Sequence, residues 1–262
     1  MSAIKTCSNH VSADIGNTRV KFLLKHLENG SEEILSYPWR ENTDKVFCSA
    51  AKQLKKLGVN SVAAVSVNAD AEKKLKDCFK KNRIRFIKVG RVLVSPLVSD
   101  YDLHKIGLDR LANINAARNL FRERNLIVLD SGTALTIEII KNNRHCGGFI
   151  LPGERTMIAA LHRNTAQLPM LSKIDNCKKP GINTAEAILR GSALLFRSGV
   201  KSILENLVKD AKNTAVIVTG GNGKTIQTIF SGSLFVPELT LRGVLLMKKE
   251  NRDDSLESPR PL

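Results

Sequence analysis

At 262 residues and 42% hydrophobic, the chain is long enough for one large domain or two modest ones, each with its own core. No run approaches the ~18 apolar residues of a membrane span, and residues 1–17, MSAIKTCSNHVSADIGN, lack the apolar centre of a secretory signal, so the cytoplasm is the expected compartment. The net charge of +16 would attract nucleic acid, anionic membrane and phosphorylated metabolites alike. Aromatic residues are only 5% and are not interleaved with the basic ones, which argues against a stacking surface for single strands.

In chain order, Val11–Leu24 (VSADIGNTRVKFLL) predicts a strand, a tight turn and a second strand, with Asp14, Gly16 and Thr18 at the tip. Lys52–Lys56 and Glu72–Lys88 (EKKLKDCFKKNRIRFIK) hold much of the basic excess and read first as solvated helix faces. Ser61–Val67 (SVAAVSV) and Arg85–Val89 (RFIKV) read as buried strands. Leu108, Leu111, Ile114, Ala117 and Leu120 recur near helical spacing and predict a helix over Gly107–Arg124. Leu126–Ile140 (LIVLDSGTALTIEII) then repeats the first hairpin, with Asp130 standing 116 residues after Asp14. Gly147 and Gly148 predict a turn, Ala159–His162 and Ala185–Glu205 helices, and Ala215–Gly221 (AVIVTGG) a buried strand closed by glycines. Lys249–Leu262, charged and without periodicity, is expected to be a disordered tail. Strands alternating with helices argue for α/β domains, and the repeated hairpin for a duplicated domain.

The five cysteines, Cys7, Cys48, Cys78, Cys146 and Cys177, are odd in number and widely spaced, with no C-x-x-C pair. Neither a disulfide framework nor a zinc site fits that spacing, and the five histidines add no metal-ligand pattern. Free thiols are expected.

The repeated tip suits phosphate. Glycine lets backbone N–H groups approach an anion, and threonine adds a hydroxyl donor. The neighbouring aspartate can hold the metal that neutralises phosphate oxygens. Two such tips facing across a cleft would grip a triphosphate, although each alone would serve equally as an Asx-stabilised turn. Gly220–Thr225 (GGNGKT) resembles the end of a P-loop, but the first glycine of that motif would fall at Val218. Gly220 and Gly221 read instead as a turn bordering adenosine, or as a plain strand-to-helix turn.

Seven segments occur in one order: DIGNTRVK (14–21), GLDR (107–110), DSGTALT (130–136), GGFILPG (147–153), ALHRNTAQLP (160–169), NTAEAILRG (183–191) and TGG (219–221). On these, residues 12 to 248 resemble the type III pantothenate kinases of the acetate and sugar kinase/Hsc70/actin superfamily. The resemblance implies an α/β fold of two related actin-like, ribonuclease H-like domains, 12–115 and 116–248, with the nucleotide in the cleft between them. It implies ATP-dependent phosphorylation of pantothenate to 4'-phosphopantothenate, the first step of coenzyme A biosynthesis. Magnesium would accompany ATP, potassium or ammonium would be required, and the enzyme would be a homodimer.

The resemblance also assigns residues. The first ATP-phosphate loop would run from Asp14 through Ile15, Gly16, Asn17, Thr18, Arg19 and Val20 to Lys21, with Asp14 near the magnesium. Asp130 would ligate the monovalent cation and Thr133 would touch ATP. Gly107, Leu108, Asp109 and Arg110 would line the pantothenate pocket, with Asp109 as proton acceptor and Arg110 binding an acidic or polar group. Thr184 would reach pantothenate from the dimer interface. Tyr101 is a further substrate contact, although it stands one residue closer to Gly107 than in many members and no proline intervenes. Glu138 occupies a place where the family usually has aspartate.

Other readings of these residues remain open. An Asp-Arg pair also opens ordinary helices, and Asn183 with Glu186 resembles a capping pair that would make Thr184 simply the first helical residue. The apolar positions Ile188, Ala193, Leu194 and Leu195 suit either a core or a partner. A kinase acting on another small hydroxyl compound also fits, as does a basic accessory protein favoured by the charge alone.

Overall fold

The computed structural model describes residues 11–26, 30–93, 96–172, 174–175, 177–209 and 213–249; Cys7, His10 and the expected tail from residue 250 onward lie outside them. The first hairpin forms as anticipated. β1 (Val11–Ile15) and β2 (Arg19–Lys25) pair antiparallel with Asp14 opposite Lys21, and β3 (Glu32–Pro38) extends the meander. Then come α1 (Thr43–Lys56), β4 (Ser61–Ser66), α2 (Ala69–Lys81), β5 (Arg85–Leu93), the two-residue β6 (Val98–Ser99) and α3 (Leu108–Leu120). The second hairpin joins β7 (Asn125–Ser131) to β8 (Ala134–Lys141), followed by β9 (Arg144–Pro152), α4 (Glu154–Arg163) and α5 (Thr184–Lys209). The chain closes through β10 (Thr214–Thr219), α6 (Gly223–Ile229), β11 (Ser233–Phe235), α7 (Leu239–Leu245) and β12 (Met247–Lys249).

These elements make two six-stranded sheets, ordered β12-β5-β4-β1-β2-β3 and β11-β10-β7-β8-β9-β6. In each, three antiparallel strands are continued by two parallel ones, so β3-β2-β1-β4-β5 and β9-β8-β7-β10-β11 are the same ribonuclease H-like arrangement used twice. The duplication read from the hairpins thus extends to five strands per unit. The sixth strands do not correspond: β12 adds antiparallel to β5, and β6 adds parallel to β9.

Of the described residues, the first unit takes those up to Leu97, Tyr101–Asn119 and those from Glu238 onward, the second Val98–Asp100 and those between Leu120 and Pro237. The expected domains ended at 115 and 248, whereas the segment from Glu238 returns to the first unit. It does so because α7 buries Leu239, Leu241 and Val244 against β1, β2 and β4 and β12 pairs with β5. Lys249, assigned to the tail, is the last residue of β12.

Each unit has its own core. In the first, Phe22, Phe47, Leu54, Leu75 and Phe79 are buried between the sheet and the α1–α2 layer, with Tyr37 edge-on to Phe22. In the second, Ile127, Leu129, Leu135 and Ile137 meet Phe196, Val200 and Leu204 of α5. Lys73, Lys74, Lys80 and Lys81 of α2 are exposed, in keeping with a solvated basic face. Among the described residues no helix is long and apolar enough to cross a membrane.

Two local expectations are corrected. Gly147 and Gly148 lie inside β9, and the β8–β9 turn is made by Asn142 and Asn143, both at positive φ. The glycines are needed because Gly148 lies so close to the Ile137 carbonyl that a Cβ would collide with it, beside a register shift between Glu138 and Ile140. The helix expected to reach Arg124 stops at Leu120, since α3 is covered from Arg110 to Ala117 and residues 122–124 emerge into solvent.

Candidate functional site

In the first unit Ala13 and Ile15 point into cover, and Asp14 is half-buried on the other side of β1 with Lys21 directly across. The Gly16 N–H closes the tip onto the Arg19 carbonyl at 3.0 Å. The loop carbonyls are all taken by two successive residues. Trp39 donates its ring N–H to Gly16 O (3.2 Å) and its backbone N–H to Thr18 O (3.2 Å), and Arg40 Nε donates to Asn17 O (3.2 Å). Asn68 caps α2 through Ala71 N–H at 2.9 Å and reaches Asn17 Oδ1 with Nδ2 at 3.4 Å. Carbonyls held in this way do not confront an anion, so the tip can receive one. Arg19 is turned aside onto Ser36 Oγ at 3.0 Å.

At the start of α3, Asp109 Oδ1 accepts the Arg110 N–H at 2.8 Å. The same oxygen lies 2.5 Å from where a Cβ on Gly107 would stand, so glycine makes room for the carboxylate. Leu108 is partly covered beside it. Arg110 is 7% exposed, and its guanidinium carbon sits 5.3 Å from the centre of the Tyr101 ring. Tyr101, Asp109 and Arg110 are therefore gathered at one helix start. Arg91 of β5 holds the preceding turn by donating to Leu103 O at 3.0 Å and to Ile106 O. From the other side Thr240 donates to Asn113 Oδ1 at 2.8 Å, and Gly243 lies against the Ala112 carbonyl.

The second unit builds its turn by the same means. Gly132 N–H closes onto Ala134 O at 2.9 Å, one residue tighter than the first turn. Thr133, exposed, has its carbonyl held by Gly153 N–H (3.0 Å) and the Thr156 hydroxyl (2.5 Å) at the start of α4, and Ser131 O takes the Asn222 N–H at 2.9 Å. Asp130 stands between Thr136 of β8 and Thr219 of β10 in the sheet register. Thr219 donates its hydroxyl to Pro237 O at 3.4 Å, and Asp130 thus has neutral threonines opposite it in the sheet where Asp14 has Lys21. Gly220, at φ +89, is packed on Asp130 Oδ1 and the Ser131 backbone. Glu154 opens α4 under cover, where burial raises its carboxyl pKa against the pull of Arg197 and Arg155.

Glu138 is committed elsewhere. Fully buried, its Oε2 lies 3.0 Å from His145 Nε2, while His145 Nδ1 meets Ser99 Oγ at 2.8 Å. The longer carboxylate thus ties β8 to β9, and His145 in turn ties β9 to β6. Thr184 is exposed at the start of α5, and the capping pair is real: Asn183 Oδ1 accepts Glu186 N–H at 2.9 Å, and Glu186 Oε2 accepts Ile182 N–H at 3.2 Å.

The braces Trp39, Arg40, Asn68, Arg91, Gly153, Thr156 and Asn222 were not anticipated from sequence. Only Trp39, the single tryptophan of the chain, offered a signal. A surface concavity lined by Arg122, Arg124, Asn125, Asn142 and Asn213 lies at the opposite, N-terminal end of β7 and β10 and contains none of the motif residues. Among the described residues no group of three or more His, Cys, Asp or Glu could hold a metal ion.

The family model described as type III pantothenate kinase matches residues 11–206, which include both pinned turns and the start of α3. A type III pantothenate kinase of Desulfovibrio desulfuricans is 31% identical over 257 residues, spanning 91% of this chain and 96% of the relative. One from Porphyromonas gingivalis is 29% identical over 242 residues, spanning 90% and 96%. A solved structure from Campylobacter jejuni, described as of the Baf family of transcriptional activators, shares the fold at a TM-score of 0.53 and 23% identity, covering 90% of this chain and 95% of that one. This chain belongs to the type III pantothenate kinase family.

Proposed function

We propose that this chain transfers the γ-phosphoryl group of ATP to the primary hydroxyl of pantothenate, the first step of coenzyme A biosynthesis, and does so in the cytoplasm. The observation that carries the reading is the family match running through two Asp-x-Gly turns whose carbonyls are pinned by the same device. Asp109 accepts the hydroxyl proton, and Arg110, steadied on Tyr101, holds the substrate carboxylate. Gly107 and Leu108 complete that wall. The Asp14–Lys21 loop and Thr133 receive the phosphates. Magnesium would supply charge neutralisation at the phosphate oxygens, and Asp14 of the first turn would hold it. Asp130, with Thr136 and Thr219 beside it, fits potassium or ammonium. The test is an ATP-dependent phosphorylation assay with pantothenate and related hydroxy acids. Phosphorylation of another hydroxy acid in preference to pantothenate would favour a different small-molecule kinase.

Activity is expected to need potassium or ammonium and to fall sharply in buffer containing only sodium. Asp130→Ala should abolish that difference by lowering the potassium rate toward the sodium one. Equal rates in both salts, with Asp130→Ala unaffected, would remove Asp130 from the site.

The active form is a homodimer. α5 buries Ile188 and Ala193 but leaves Leu194 and Leu195 at 56% and 66% exposure, and Ile182 stands exposed just before Thr184. Apolar side chains on the outward face of a helix that is already packed suit a second copy. Light scattering at micromolar protein should give about twice the 28.8 kDa chain mass. Thr184→Val should raise the apparent KM for pantothenate more than that for ATP. A fully active monomer would contradict both assignments.

A further inference from the structure

Two thiols that lie 30 positions apart in sequence meet between α1 and α2. Cys48 sits in the second turn of α1 and is half-exposed, while Cys78, in the last turn of α2, is buried. Their Sγ atoms are 2.7 Å apart with no bond between them. Closing that gap to the roughly 2.05 Å of a disulfide takes a movement smaller than a bond length. Nor can the pair easily drift apart. Phe47, Ala50, Ala51 and Leu54 of α1 share one core with Leu75, Cys78 and Phe79 of α2, and Cys48 packs against it. Asp44 and Lys74 add an ion pair between the same helices at 3.4 Å.

We propose that Cys48 and Cys78 are a redox-modified site: they form a reversible disulfide, by exchange with a small-molecule disulfide such as oxidised glutathione, that staples α1 to α2 within the first unit. The Cys48 thiolate attacks one sulfur of the reagent. A mixed disulfide forms on Cys48, the reagent's S–S bond breaks, and the first thiolate leaves and takes up a proton. Cys78, giving up its own proton, then attacks Cys48 Sγ, so that the Cys48–Cys78 bond forms and the second small thiol departs. The two protein thiols lose two electrons, and the reagent disulfide is reduced to two thiols.

The order of attack follows from the surroundings. Burial first, then the hydrogen bond and proximity of Cys48, push the Cys78 thiol up to about 12, with Asp44 adding to the rise and Lys81 opposing it. A covered thiol that keeps its proton reacts slowly with an outside reagent, so the half-exposed Cys48 reacts first and Cys78 resolves. Once Cys48 carries the mixed disulfide, the second step is intramolecular between groups already in contact. The staple also bears on the site. α1 begins three residues after Arg40, which with Trp39 pins the first phosphate turn, so a fixed α1 steadies those braces.

The full-length protein, incubated with excess oxidised glutathione, quenched in acid and mapped by mass spectrometry without reduction, tests this. A cross-linked peptide pair containing Cys48 and Cys78 is expected, two hydrogens lighter than the sum of its parts. The oxidised protein should melt roughly 5–10 °C higher, because the cross-link restricts the unfolded chain, and dithiothreitol should reverse the rise. Cys78→Ser should accumulate a glutathione adduct on Cys48, Cys48→Ser should leave Cys78 unmodified, and neither should show the rise. The exposed Cys146 and Cys177 report that the reagent has acted. If those two are modified while Cys48 and Cys78 are recovered as free thiols, or as separate adducts, the proposal is overturned.

Discussion

Asp109→Asn should fold like the parent and lose roughly 10²–10⁴-fold in turnover, the usual contribution of a positioned general base. The asparagine carbonyl can still accept the Arg110 N–H that Asp109 accepts now, so the start of α3 keeps its local hydrogen bond. What the amide cannot do is take a proton from the substrate hydroxyl. Gly107→Ala provides a check that leaves the carboxylate in place chemically. Its Cβ would stand 2.5 Å from Asp109 Oδ1, the free end of a flexible side chain, so the carboxylate yields rather than the backbone. Stability should change by no more than about 1 kcal/mol. Turnover should fall at least tenfold while the apparent KM for ATP holds, because a displaced base loses its geometry. Near-native turnover in purified Asp109→Asn would rule Asp109 out as the base. Native turnover in Gly107→Ala alone would mean that the carboxylate moves on substrate binding.

The second large effect is expected at Gly220. This residue has φ +89, a conformation that costs a residue with a side chain on the order of 1–2 kcal/mol. A Cβ there would also fall on Asp130 Oδ1 and the Ser131 backbone, and the latter cannot swing aside. Together these should destabilise Gly220→Ala by roughly 3 kcal/mol, seen as a shift in the denaturant midpoint without a change in slope. Because the collision displaces Asp130, the surviving folded protein should also lose most of its activity and its preference for potassium. Gly221→Ala is the control: a Cβ at Gly221 meets open space and its φ is not positive, so the variant should be close to native. If Gly220→Ala melts with the parent and works as well, the packing of the glycine turn on Asp130 is unimportant.

The two Asp-x-Gly turns were legible because everything that makes them is local. Apolar, largely buried strands flank each tip and pair antiparallel across it, and glycine permits the turn. The Asn183–Glu186 cap was legible for the same reason, since both partners lie within one turn of helix. Where the reading failed, the deciding neighbour was remote. A Gly-Gly pair signals a turn by itself, yet Gly148 serves a strand because the Ile137 carbonyl of the adjacent strand presses on it. Glu138 stands where the family usually has aspartate, and its partner, His145 on the next strand, could not be read from the motif.

Local chemistry and ordered motifs in the sequence alone determined the duplicated hairpin, the α/β class and the family, and proposed Asp14, Asp109, Arg110 and Asp130 for the site. Only the tertiary structure decided that the chain returns from Glu238 to the first sheet, because α7 and β12 have apolar side chains and an open strand edge to satisfy there. It also decided which groups hold the two Asp-x-Gly turns. Trp39, Arg40, Gly153 and Asn222 act through hydrogen bonds to backbone carbonyls, and those leave no pattern in residue types. The cysteines make the same point. Their spacing argues for separate free thiols, but Cys48 and Cys78 are brought to 2.7 Å because each lies where its helix buries its apolar side in the same core.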